Sequence, residues 1–479
     1  MPVRNERGVI AESYYDLQGL RVLDAARESH PVVAASPEST LRAVFQAIEI
    51  ALLNLSDVIK RAARDIEQDL LGSATVKMFW VRGLHRVLVR LSMAPGQLAL
   101  ADDTALVLRI KDSPAFQEYI EALKEFDHNV LSQISTGKLD VISTLADRSL
   151  EDMACNFLHL TRISNHESTI WESNLASVRA PSTTSSYEEF VLSESMRDTV
   201  YERVLKGDTF FTQFRGLHQI PEILGHEVAD RLEESIRSLR RAQLHVAADH
   251  LRCANILMEG VLAAVPPMAD SLTTTDYHQI RENLGLTSGS HSVTLRYHVS
   301  LHLYEQLWEE LASCLAGSQA DVASEGVVLQ AARQAEQQRF SDLQAWMAHL
   351  LIDHCLQLRT LIFQWREQHL HMPRNNLGGE STKSLTGSPD AVEAVKRMRN
   401  AARAKDPMLP LARLRGVVNG HLDSSATPLS AYLESKSSLD NQLLQATGGI
   451  TKRRFKNVQE RLEYFAERSD FVPPPRRRA

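Results

Sequence analysis

Cysteine is scarce in this 479-residue chain: its four cysteines, Cys155, Cys253, Cys314 and Cys355, stand far apart. With no C-x-x-C pair, the common zinc and dithiol redox motifs are excluded, and with no C-x-x-C-H so is thioether attachment of haem. The cysteines are expected to be reduced core residues. Long apolar runs are also lacking, and no stretch reaches the roughly 18 residues that a membrane span needs. The opening Met1-Pro2-Val3-Arg4-Asn5-Glu6-Arg7 has no apolar centre of the signal-peptide kind, so a cytoplasmic protein without a membrane partner is expected. Basic residues are in the minority: 53 Lys and Arg against 60 Asp and Glu give a formal charge of -7, which argues against nucleic acid as a partner. Absent too are the G-x-x-x-x-G-K-[ST] phosphate loop, the H-E-x-x-H zinc helix and the G-x-S-x-G nucleophile turn.

What is present is helical periodicity around an ordinary globular composition, 43% hydrophobic and 24% charged. The length exceeds one typical domain and predicts two domains or one duplicated unit. Between Leu41 and Ile66, the residues Val44, Ile48, Ala51, Leu52, Leu55 and Ile59 fall at three- and four-residue steps and form one apolar face. Similar faces run from Phe210 to Leu239, His245 to Ala264, Val293 to Leu315 and Val327 to Leu370. No segment alternates as a strand does. The expected fold is an all-α helical bundle. Ser177 to Ser186 reads as a linker between halves, Asn375 to Pro389 as a polar loop, and the chain beyond about Asp406 as an extension ending in Pro473-Pro474-Pro475-Arg476-Arg477-Arg478.

An internal repeat organises the chain. Tyr14 and Tyr187, Phe45 and His218, Gln46 and Gln219, Glu49 and Glu222, and Asp57 and Asp230 are all separated by 173 residues. Each half opens on an aromatic-acidic segment, continues with a Gln-x-x-Glu helix and reaches a proline turn near Pro95 or Pro266-Pro267. The expectation is two diverged copies of one helical unit, at 1–180 and 187–405, with 406–479 as the extension.

The second copy carries four motifs in one order. Phe214-Arg215-Gly216-Leu217-His218-Gln219-Ile220-Pro221-Glu222-Ile223-Leu224 resembles the F-x-x-x-H-Q-x-x-E-L-W helix of the tryptophan 2,3-dioxygenases. Asp276-Tyr277-His278-Gln279-Ile280-Arg281-Glu282-Asn283-Leu284 is similar to their D-F-x-x-F-R-x-x-L segment, and Ser288-Gly289-Ser290-His291-Ser292-Val293-Thr294-Leu295-Arg296 to S-G-F-Q-S-x-x-x-R. Trp365-Arg366-Glu367-Gln368-His369 resembles the W-R-x-x-H haem-ligand motif, with Leu377-Gly378 downstream. Together they span roughly Tyr187 to Arg399.

The resemblance implies a cytoplasmic, homo-oligomeric (dimeric) oxygenase that uses haem b and dioxygen on a small aromatic substrate. It implies His369 as the iron ligand, a role a neutral imidazole nitrogen can fill. His371, two residues on, is the rival. It implies His218 on the opposite, substrate-side face of the haem, where an imidazole can hydrogen-bond a substrate N–H. The plainer alternative there is a helix histidine bonded to a backbone carbonyl. Phe214 would line the same wall, or serve as core. Arg296 corresponds to the residue that grips the substrate carboxylate in two-pronged fashion, though a helical arginine is commonly a surface group. Ser292 would meet the haem edge, or cap a helix. Thr386, in Leu385-Thr386-Gly387-Ser388, corresponds to the hydroxyl of a mobile G-T-G-G loop once three inserted residues are allowed, and a generic polar loop is the other option.

Some positions depart from the family. Ser290, His291 and Leu224 replace Phe, Gln and Trp, which points to a pocket of altered size or polarity. The first copy has Phe45 at the position of His218, and anchoring Trp171 on Trp365 puts Leu175 at that of His369. It is therefore expected to bind no haem and to lend Tyr14 or Tyr15 to the pocket around His218. Dioxygenation of an indole or tryptophan-like ring is the leading expectation. Hydroxylation of a tyrosine-like substrate by a mono-oxygenase or peroxygenase, or a non-catalytic helical interaction protein, are the alternatives.

Overall fold

The structure is a computed structural model that describes residues 20–98, 106–135, 167–182, 184, 186–201, 211–272, 277, 292–317, 325–377 and 406–414, with 392–393, 396–397 and 399–400. These residues are predominantly helical, as the periodicity predicts. In chain order the helices are α1 (Leu20–Ser29), α2 (Pro37–Glu67), α3 (Leu71–Leu98), α4 (Pro114–Ser135), α5 (Tyr187–Val191), α6 (Ser193–Tyr201), α7 (Phe211–Arg240), α8 (Leu244–Ala263) and α9 (Val265–Ser271). A π-helix (Val293–Leu303) then leads into α10 (Tyr304–Ala316), followed by α11 (Glu325–Gln338) and α12 (Leu343–Leu377).

Helix α2 begins where its sequence says it must. Ser36 caps it, its hydroxyl accepting from Ser39 N–H at 3.1 Å, Pro37 occupies a first-turn position that needs no N–H, and Glu38 complements the positive end of the helix dipole. Beyond the single face that the sequence marks, α2 is buried almost all round, because it packs against α3, α4 and α7. Helix α7 in turn packs against α2, α8 and the π-helix. Where α2 and α7 meet, a Cβ on Gly216 would stand 2.2 Å from Asn54 Nδ2, so only glycine allows the approach. Asn54 is itself fixed by donating from Nδ2 to Ile50 O at 2.7 Å.

Three features differ from the sequence reading. Two three-residue strands, β1 (Leu106–Leu108) and β2 (Val178–Ala180), pair antiparallel with Leu106 against Ala180. They are too short to show a period of two, and β2 lies in the stretch read as a linker, with Val178 and Ala180 buried. Pro95 lies inside α3 and makes no turn, whereas Pro266 and Pro267 do open α9. The face from Val327 to Leu370 is broken into α11 and α12. Ser341 N–H and Asp342 N–H both donate to Gln338 O, and Asp342 Oδ1 accepts from Ala345 N–H at 2.7 Å, starting a new helix.

The chain divides into two compact units, Met1–Leu311 with His354–Met408, and Ala312–Asp353 with Leu409–Ala479. Asp406 and Met408, read from sequence as the start of an extension, are buried in the first unit. Asp406 accepts from Tyr304 Oη at 2.8 Å, Arg359 Nε at 2.7 Å and Met408 N–H at 3.2 Å. Cys253 and Cys355 are buried free thiols. Among the described residues no helix is long and apolar enough to cross a membrane.

Candidate functional site

All described candidate residues lie in the first unit, on α7, the π-helix and α12. The helical face of α7 carries Phe214 and His218 inward, one turn apart, both buried. Their rings are 4.3 Å apart between centroids, and His218 Nδ1 lies 2.8 Å from Phe214 O. A carbonyl only accepts, so Nδ1 carries the proton and Nε2 keeps its lone pair. Among the described residues Nε2 has no hydrogen-bond partner. Burial outweighs the bond to Phe214 and pushes the imidazole down to about 4, so it is neutral at physiological pH. The backbone bond and the available Nε2 thus coexist in one side chain.

The π-helix runs against α7. A Cβ on Gly225 would stand 2.9 Å from Leu295 Cδ2, and Thr294 Oγ1 lies 3.4 Å from His226 Nε2. Ser292 is buried and caps this helix, accepting from Leu295 N–H at 2.9 Å, which leaves its own O–H to donate. Wide π-type turns are uncommon at this length and tend to occur at functional positions. Arg296, half-buried, places its guanidinium 4.8 Å over the ring of Tyr297.

The π-helix is joined to α12 by Arg366, whose Nη2 donates to Ser300 O at 3.0 Å and to Ser300 Oγ at 2.9 Å. Burial, with the like charge of Arg296 adding to it, pushes the Arg366 guanidinium down to about 10, so it stays charged at neutral pH. Arg296 and Arg366 are therefore within electrostatic reach of each other. His369, one turn beyond Trp365, is half-buried with its ring 6.1 Å from the indole. His371 is exposed; two residues along a helix turn it about 200° away from His369. Thr386 and Tyr14 lie outside the described residues, as does most of 276–291.

Leu224, which replaces the tryptophan of the resembled motif, packs onto α8: a Cβ on Gly260 would lie 2.8 Å from Leu224 Cδ1. A ring there would need α8 to move, so this departure is a matter of helix packing. The bond from Arg366 to Ser300 is invisible in sequence, since 66 residues separate the two and the motif that contains Arg366 does not point to its partner. Asp406 was missed for the same reason. No known family model matches the chain, and no curated protein matches it.

Proposed function

We propose that this chain is a haem-dependent oxygenase that uses dioxygen on a tryptophan-like aromatic acid, and that dioxygenation is the favoured outcome. The observation that carries the proposal is His218: a buried, neutral imidazole with Nδ1 tied to its own helix and Nε2 available, on a helix linked through the π-helix to the one bearing His369. The donor chemistry fits haem b. His369 would hold the iron, and the remaining Ser292 O–H would meet the haem edge. Bound haem supplies the redox chemistry that activates dioxygen. The protein supplies orientation and proton control. Nε2 of His218 accepts a hydrogen bond from the substrate ring N–H, Phe214 confines the ring, and Arg296 with Arg366 draws in the carboxylate. Thr386 is proposed to meet the substrate ammonium group.

We also propose that the chain is two diverged copies of a tryptophan-dioxygenase-like unit, only the second of which binds haem. Supporting this, the helix boundaries follow the 173-residue offset. Adding 173 to Pro37–Glu67 gives 210–240, against α7 at Phe211–Arg240. The same shift takes Leu71–Leu98 to 244–271, spanned by α8 and α9, and the start of α1, Leu20, to the start of α6, Ser193. The Phe45 and Tyr187 rings meet edge-on at 5.8 Å. The offset relates that pair to His218 and Tyr14, and on that ground Tyr14 is proposed as part of the substrate wall.

A Soret band tests the reading. Protein expressed with a haem precursor is expected to purify coloured, His369→Ala to lose the haem, and His371→Ala to keep it. Colourless wild-type protein, or haem loss in His371→Ala alone, overturns the assignment.

A further inference from the structure

A groove of about 690 Å³ opens between α3, α8, α9 and the part of α12 that carries Leu361, Gln364 and Gln368. That volume falls in the range of roughly 300 to 1,000 Å³ in which small-molecule sites are found. Phe79, Leu262, Pro266, Pro267 and Leu361 make its lining largely apolar. Into this lining α3 sends Arg82, Arg86 and Arg90, spaced by four and therefore in one row on the helix face.

The three guanidinium groups differ in their partners. Arg90 pairs with Glu259, and Arg86 lies 3.5 Å from Glu167. Arg82 has no ion pair or hydrogen bond among the described residues, and its Nε is buried. From α12, Gln368 contributes an Oε1 that is also buried without a hydrogen-bond partner among the described residues. A donor and an acceptor therefore stand orphaned on one apolar groove, where native structures normally satisfy such groups. Of the two carboxylates that line it, Glu259 is neutralised by Arg90 and Asp270 is exposed, so the interior favours an anion.

We propose that this groove binds a small organic acid that brings its own hydrogen-bond donor. The carboxylate sits on Arg82, the donor meets Gln368 Oε1, and the body of the molecule packs on Phe79, Leu262 and Pro267. The site uses none of the residues assigned above to haem or to the oxygenase substrate, so it stands or falls apart from that reading.

Calorimetric titration of the full chain with 3-hydroxybenzoate tests it, with benzoate and 3-hydroxybenzyl alcohol as comparisons. The hydroxy acid is expected to bind best, and the alcohol at least about tenfold more weakly, because it forfeits a charge-assisted pair. Arg82→Met should weaken both acids about tenfold and leave the alcohol unchanged. Gln368→Leu should weaken the hydroxy acid several-fold and leave benzoate unchanged. If Arg82→Met does not fold, as judged by far-ultraviolet dichroism, Gln368→Leu alone decides. Equal binding of acid and alcohol, acid affinities untouched by the variants, or no saturable binding at all overturns the proposal; the last result would leave ordered water as the occupant.

Discussion

His218 and His85 are both buried imidazoles, and each has one ring nitrogen engaged by a neighbour. His218 donates from Nδ1 to Phe214 O, while His85 accepts at Nδ1 from Trp171 Nε1 at 3.0 Å. Burial pushes His218 down to about 4 and His85 to about 3. In the unfolded chain both titrate near 6.5, so as pH falls below that value the unfolded state takes up protons that the folded state refuses. Stability is therefore full above about 6.5 and is lost as pH drops toward the folded values. His218→Phe, which installs the residue that Phe45 supplies at the offset position, removes one of the two contributions. Urea unfolding of the variant should show a drop between pH 7 and pH 5 that is smaller than wild type by about 2 kcal/mol. An unchanged drop would mean that folding does not depress the His218 imidazole, which would then take up its proton as readily as in the unfolded chain.

The crossing of α2 and α7 is decided by small residues and a buried polar knot. At one end, Ser39 Oγ and Thr40 Oγ1 lie 2.9 and 2.5 Å from Glu227 Oε1, and Arg231 donates from Nε to Thr40 Oγ1 at 2.8 Å and from Nη2 to Ser36 O at 2.6 Å. At the other end Gly216 admits Asn54. Gly216→Ala would normally favour a helix by about 1 kcal/mol through propensity. Here the added methyl meets an amide already held by Ile50 O, so overpacking should prevail and destabilise by about 1–3 kcal/mol. A thermal midpoint at or above wild type would refute the close approach. Helices of this kind were legible because their apolar residues recur at three- and four-residue steps, although burial on α2 extends well beyond that face. The break at 339–342 was not, since the largely polar run from Glu336 to Asp342 also suits a solvated helix face and only the Asp342 cap, which accepts from Ala345 N–H, marks a new start.

For the whole molecule, the two-copy reading makes a stoichiometric prediction. The second copy holds both candidate histidines, while the first has buried Phe45 and Leu175 at the positions compared with them. A pyridine haemochrome assay against protein concentration should give one haem per chain, and two would sink the assignment of the first copy as scaffold. Asp406 belongs to the same scale: it gathers Tyr304 and Arg359 from α10 and α12 although its neighbours in sequence read as a tail.

The sequence by itself determined the helical class, because that is written in the period of its apolar residues; the 173-residue offset, read from matched Tyr, Gln, Glu and Asp positions, supports the proposal of two copies. The sequence also nominated His218, His369 and Arg296 through motif order. Tertiary structure decided which nitrogen of His218 is available, that Arg366 joins α12 to the π-helix, and that Arg82 Nε and Gln368 Oε1 line one groove without hydrogen-bond partners among the described residues. Those outcomes depend on contacts between residues far apart in the chain and on the water that burial removes, and neither is encoded in any local pattern.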